Sequence, residues 1–387
     1  MLFVGSFPPR ECGIATFTAD VVKSYDERFG TQSHIVAIDE PGGEERRYPA
    51  RVIARLRQND RSSYRDIAVL ANADSCDAVN FQHEYGLFGG EDGEWFVELL
   101  AAIRKPTIVS LHTVLPDPSP NHHRVTRGIC ETANAIVVLS ETGRDILIER
   151  YGADAAKIHV VHHGVPDVPF RDTAIPKQRL GLQGRAVIST FGLINRGKGL
   201  EYAIDAMRTI VKRHPEALYL ILGQTHPVIR RNEGESYRES LQAMVEEFGL
   251  HDNVKLVDKY LDFDELVDYL AATDIYLTPY LNPVQIVSGT LAYAIGCGKA
   301  VVSTPYLYAQ ELLAHGRGFL VDFRDASSIV KTVAALLDDG DLRASTERRA
   351  YRFGRQMTWP NVAAAYGRLF AAVSPDDRRE TAVAMPA

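Results

Sequence analysis

Short apolar runs recur along the chain, each closed by small or polar residues and followed by a stretch with helical spacing. Leu2 to Val4 ends in Gly5-Ser6-Phe7-Pro8-Pro9, and the loop continues through Gly13. Phe17, Val21, Tyr25 and Phe29 then share one helical face, with Gly30 as the stop. His34 to Ile38, Ala78 to Phe81, Thr107 to Leu111, Ala135 to Leu139 and Lys157 to Val161 read as further strands. Glu94 to Ile103 reads as a helix stopped by Pro106. Pro166 to Gly184, with several Pro and Gly, interrupts the alternation and reads as a linker. The pattern then resumes, with strands at Val187 to Phe191, Ala217 to Leu222, Val254 to Val257, Ile275 to Thr278, Ala300 to Ser303 and Gly318 to Val321. Helices fall after Leu200, from Ser288 to Gly296, and at Ser327 to Leu337. Apolar runs alternating with helices imply mostly parallel sheets. The expected fold is α/β, with two Rossmann-like doubly wound domains at residues 1–170 and 185–350, and a disordered tail at 374–387.

In an open sheet of this kind, ligands sit beyond the carboxyl ends of the strands. Those ends carry Gln82-His83-Glu84, His112-Thr113, Ser140-Glu141 and His162-His163-Gly164 in the first half, and Gly192 to Gly199 in the second. Gly13 would let the backbone come close to a ligand. Ser288-Gly289-Thr290 opens a helix, so its N–H groups and hydroxyls suit an anionic group such as a diphosphate; an ordinary capped helix fits them as well. Adjacent His162 and His163 on an extended segment point to opposite sides and make a poor metal pair. Asp262-Phe263-Asp264 sits at a helix start, where Asp is favoured as a cap, so no metal site is expected there.

The 387 residues are 45% hydrophobic and 24% charged, which fits a folded chain with room for two cores. A net charge of -7 argues against a nucleic-acid groove. The chain has no apolar run long enough to span a bilayer and no basic leader, so a cytoplasmic location is expected. Four scattered cysteines fit reduced thiols.

The segment from Ala294 through Val302 (AIGCGKAVV) resembles the nucleotide-sugar helix of family 4 retaining glycosyltransferases, enzymes of the GT-B fold. The family pattern there is Glu, seven residues, then Glu-Ala-Met-Ala-x-Gly-x-Pro-Val-Val, and its two Glu positions fall on Gln285 and Tyr293. Gly192 to Gly199 resembles the family's Gly-Arg-Leu-x-x-x-Lys-Gly loop, with Lys198 and Gly199 matching. Leu193 replaces the Arg, and Arg196 stands in the same loop as a substitute. His112, His163-Gly164-Val165, Asp274, Glu311 and Trp359-Pro360 also match in order.

This resemblance implies two domains facing across a cleft, with a C-terminal crossover helix at 355–373 packing back on the first. It implies a hexose moved from a nucleotide sugar to a hydroxyl acceptor with retention, and with neither cofactor nor metal. The likeness to mannosyltransferase-like members points to GDP-mannose, with a UDP-sugar as the other donor. His112, Lys198, Arg196 and Gln285 would serve the chemistry. Gly13, His163, Gly192, Gly199, Ser288, Gly289, Thr290, Tyr293 and Glu311 would bind the donor. A phosphorylase using free phosphate, a sugar-nucleotide epimerase and a non-catalytic glycan- or nucleotide-binding subunit are the alternatives. Acceptor and oligomeric state are not specified by any residue pattern.

Overall fold

A computed structural model describes residues 1–42, 46–73, 75–170 and 172–374. The tail expected to be disordered lies, after Ser374, outside the described residues. The chain forms two compact units, Met1–Gly164 with the segment from Trp359, and Val165–Thr358.

The first unit holds β1 (Leu2–Gly5), β2 (His34–Asp39), β3 (Val52–Arg57), β4 (Val79–His83), β5 (Thr107–Leu111), β6 (Ala135–Val138) and β7 (Ile158–Val160). They lie in the order β3-β2-β1-β4-β5-β6-β7, and every paired strand is parallel. The second unit holds β8 (Ala186–Phe191), β9 (Ala217–Leu222), β10 (Val254–Val257), β11 (Ile275–Thr278), β12 (Ala300–Ser303) and β13 (Gly318–Leu320), ordered β10-β9-β8-β11-β12-β13. In each sheet the winding reverses once, between β1 and β4 and between β8 and β11. Loops leaving those strands diverge to opposite faces and open a crevice at their carboxyl ends.

The central strands are buried almost throughout because helices cover both faces. In the second sheet Ile188, Tyr219 and Ile221 enter one core cluster, while Val187, Leu218, Leu220 and Tyr276 enter the cluster on the other side. Edge strand β3 escaped the sequence reading because Arg55 and Arg57 interrupt its apolar positions. Only one of its residues, Leu56, is fully buried.

Cys12 starts the helix Gly13–Phe29 by accepting a hydrogen bond from the Ala15 N–H at 3.3 Å. Gly30 ends it in the left-handed region, donating to the Asp26 carbonyl. The C-terminal helix Trp359–Val373 lies against this helix; a Cβ at Gly367 would come within 2.2 Å of the Phe29 ring.

Pro166 to Gly184 is not a free linker. It includes the helix Ala174–Arg179, which is tied to the second sheet. Lys177 pairs with Asp274 at 2.6 Å, and the same carboxylate accepts from the Val187 N–H at 2.7 Å. Pro and Gly content suggested a spacer, but the buried carboxylate before β11 draws the segment down. The charged stretch after β9 forms a short helix, Pro227–Glu233.

Candidate active site

In the first unit the candidate residues stand at the ends of β4 and β5. His112 follows β5 and is 9% exposed; its Nε2 lies 2.8 Å from Gln82 Oε1. Phe17, from the first helix, meets His112 edge-on at 4.9 Å and His163 at 5.1 Å. Burial pushes the His112 imidazole down to about 3, with smaller contributions from His163 and His83. The ring is therefore neutral at ordinary pH. His163 is also buried, and its Nδ1 lies 2.8 Å from the Gly164 carbonyl, which can only accept. Burial lowers its pKa to about 4. Gly164 is required here because a Cβ would strike the Trp359 ring at 2.2 Å. Gly13 opens the first helix with free space around the position a Cβ would take.

Glu84, just past β4, accepts hydrogen bonds from Thr113 and from the Tyr85 N–H. Desolvation raises its pKa, against the lowering effect of those two hydrogen bonds. His83 belongs to the core: it stacks on Phe88 at 5.4 Å, and neither ring nitrogen has a hydrogen-bond partner among the described residues. His162 is half-buried beside His163.

The second unit places its residues at the β8/β11 reversal. Gly192 has φ 111°, and a Cβ there would lie 3.1 Å from Thr290 Cγ2 and 3.3 Å from Lys198 Nζ. Gly199 has φ 60° and fits under the Pro279 carbonyl, where a Cβ would approach to 2.3 Å. These two glycines let the loop fold flat onto the segment after β11. Lys198 is 9% exposed and donates to Tyr280 Oη at 2.7 Å and to the Phe191 carbonyl at 3.5 Å. Tyr280 Oη also bonds Thr290 Oγ1 at 2.8 Å, and Thr290 Oγ1 bonds Ser288 Oγ at 3.2 Å. Ser288 caps the helix Gly289–Gly296 by accepting from the Leu291 N–H. The first N–H groups of that helix lack intrahelical acceptors, so an anion placed there meets donors and the positive end of the helix dipole. The partners of Lys198 are one phenol hydroxyl and one carbonyl, and burial lowers its pKa to about 7.

Lys198, Gly192, Thr290 and Ser288 are thus brought together, with Gly289 beside them as the first helical residue. Among this unit's remaining candidates, Gly199 belongs to the same loop, whereas Arg196, Gln285, Tyr293 and Glu311 make other contacts. The Arg196 guanidinium lies over the Tyr237 ring at 5.2 Å and 3.7 Å from Glu233, and no described hydrogen bond joins it to the Lys198 network. Gln285, read at helical spacing from Tyr293, is in the loop before the cap. Its Nε2 donates to the Val287 carbonyl at 2.9 Å. Pro283 and the Ser288 cap place the helix start too late to include it. Tyr293 is on the helix but packed in the apolar cluster, 6% exposed, with its ring 6.3 Å from Phe191. Glu311 lies in the last turn of the helix Leu307–Leu313, not at its start. Asp262 caps the helix Phe263–Ala272, accepting from the Glu265 N–H at 2.9 Å.

Tyr280 was not anticipated. Its only signal was an aromatic hydroxyl two residues beyond a predicted strand, which alone marks nothing.

Residues 12–167 match the family described as Glycosyltransferase Family 4, and residues 172–353 match Glycosyl transferases group 1. A D-inositol 3-phosphate glycosyltransferase of Corynebacterium jeikeium is 29% identical over 66% of this chain and 62% of its own length. The corresponding protein of Streptomyces avermitilis is 27% identical over 65% of this chain and 54% of its own. The chain therefore spans about three fifths of the curated relatives it matches. Among solved structures, Anabaena HepE in complex with UDP and glucose superposes with a TM-score of 0.74 at 16% identity, covering 96% of this chain and 99% of that one. Sucrose-phosphate synthase from Thermosynechococcus elongatus gives 0.76 at 16% identity, covering 96% and 98%. These likenesses place the fold in the GT-B class.

Proposed function

We propose that this chain, whose two halves match the models described as Glycosyltransferase Family 4 and Glycosyl transferases group 1, moves a hexose from a nucleotide sugar to a hydroxyl acceptor, with retention and without a metal ion. The observation that carries this reading is Lys198 at the β8/β11 reversal, beside the Ser288-Gly289-Thr290 helix start. Breaking the sugar–phosphate bond leaves negative charge on the diphosphate. A buried ammonium and a helix N-terminus stabilise that charge as it forms, and need little reorganisation to do so. In a front-face reaction the departing phosphate oxygen takes the acceptor's proton, so no protein nucleophile is needed.

Two donors come first. GDP-mannose follows from the likeness of the PVQIVSGTLAYA stretch to mannosyltransferase-like members, and UDP-glucose from the ligands of HepE. Inositol phosphate heads the acceptor panel because of the names of the relatives. The test is release of GDP or UDP from the full chain in EDTA, with proton NMR of fresh product. Retained anomeric configuration is expected. Absence of release with every donor, together with no nucleotide binding at millimolar concentration, would overturn the reading.

A further inference from the structure

We propose that Gln82 is a positioning residue that fixes the tautomer of His112, so that His112 offers Nδ1 as a hydrogen-bond acceptor to a substrate hydroxyl. The substrate half of this statement rests on the function proposed above; the tautomer half does not.

The argument starts at a backbone carbonyl. Asn80 has an amide atom 3.4 Å from the Ile108 carbonyl oxygen. A carbonyl can only accept, so that atom is Nδ2, and Asn80 Oδ1 is left facing Gln82 at 2.6 Å. Gln82 must meet an oxygen with Nε2. Its own Oε1 is then the atom 2.8 Å from His112 Nε2. An amide oxygen accepts and never donates, so Nε2 of His112 carries the hydrogen. In the neutral ring Nδ1 is bare, and among the described residues it has no hydrogen-bond partner.

The chain extends the other way. Ser110 Oγ receives Asn80 Nδ2 and Gln82 Nε2, each at 3.4 Å. Its own hydrogen is therefore directed to Tyr366 Oη at 2.8 Å, on the C-terminal helix. Asn80, Gln82, Ser110 and Tyr366 are all fully buried. Water cannot substitute for a lost partner there, and reversing one amide would set oxygen against oxygen, so the directions are coupled. Gly5 gives Gln82 its place, since a Cβ at Gly5 would lie 2.9 Å from Gln82 Cβ.

The test is long-range proton–nitrogen NMR of the full chain labelled with 15N-histidine at pH 7. Native His112 is expected to show a protonated Nε2 and a bare Nδ1. Gln82→Met keeps an unbranched side chain against Gly5 but removes the acceptor. In it, His112 should lose the single-tautomer signature, and kcat/KM for transfer should fall roughly 3- to 10-fold, the scale of one neutral hydrogen bond. A native His112 protonated on Nδ1 would overturn the proposal. So would a folded Gln82→Met with unchanged tautomer and unchanged kcat/KM. Should that variant not fold, the native spectrum decides alone. Failure to find any sugar donor would remove the proposed function and leave the tautomer measurement intact.

Discussion

His112 in the first unit and Lys198 in the second are both ionisable, about nine-tenths buried, placed near the carboxyl end of a central strand, and hydrogen-bonded to no carboxylate among the described residues. Desolvation dominates both pKa shifts, but the outcomes differ. His112 falls to about 3 and is neutral at ordinary pH. Lys198 falls to about 7, where an arriving anion is enough to charge it. The lesson is that burial alone does not define a role. The starting pKa decides whether a buried base ends as a fixed neutral group or as a charge recruited by its ligand.

The comparison breaks first at Lys198. Replacing it with Ala should lower turnover by about 10²–10³-fold, the usual cost of removing one preorganised partner of developing charge. A variant with near-native turnover would remove the lysine from the chemistry. The same substitution at His112 deletes no charge and should cost less.

The recruited charge has a pH signature. Below pH 7 free Lys198 already holds its proton. Above it, diphosphate binding must take a proton up, because the bound anion raises the lysine's pKa. Affinity for GDP or UDP should therefore weaken by about fivefold from pH 7 to 8, and about fiftyfold by pH 9, if binding restores an ordinary lysine pKa. Calorimetry in two buffers of different ionisation enthalpy reads the proton uptake directly. Lys198→Ala should flatten both effects, and His112→Ala should leave them in place.

Tyr280 and Gln285 come next. Tyr280→Phe removes the phenol that bonds both Lys198 and Thr290, one of the two hydrogen bonds coming from a charged group when the donor is bound, for about tenfold or more in donor kcat/KM. Gln285→Ala loses the bond that shapes the loop before Ser288, and a similar fall in turnover is expected, read by steady-state kinetics. An unchanged value for either would confine the second unit's function to Lys198 and the helix amides.

Much of this arrangement was legible from local pattern. The strand ends, the Gly192 and Gly199 turns, and the Ser288 cap each depend on a few neighbouring residues whose steric and capping preferences are strong. What was not legible depends on pairing across the chain. Tyr366 and Ser110 are distant in sequence, yet share one hydrogen bond. Arg196 was placed at the diphosphate by loop position, but its side chain has Tyr237 and Glu233 to stack on and pair with. Gln285 was given helical spacing to Tyr293 although a loop intervenes. Asp274 drew the supposed linker onto the second sheet through Lys177, and no spacing rule marks that pair.

The smallest effect belongs to Tyr293, which stands where the family pattern has a ribose-binding Glu. A carboxylate accepts from both hydroxyls of a diol, while one phenol oxygen cannot form that clamp. The residue is only 6% exposed and its ring packs with Phe191 and the apolar cluster, so most of what it contributes is packing that Phe also supplies. Tyr293→Phe should therefore cost no more than one neutral hydrogen bond, ~0.5–1.5 kcal/mol in nucleotide binding. Tyr293→Glu separates the two descriptions of the position. If a bound ribose reaches it, the diol repays the carboxylate's desolvation and GDP or UDP binds more tightly. If the site is core, an unpaired buried carboxylate lowers Tm and binding does not improve. Calorimetry and thermal melts on the two variants, read together, decide between them, and a loss above tenfold for Tyr293→Phe would show that the phenol does more than fill space.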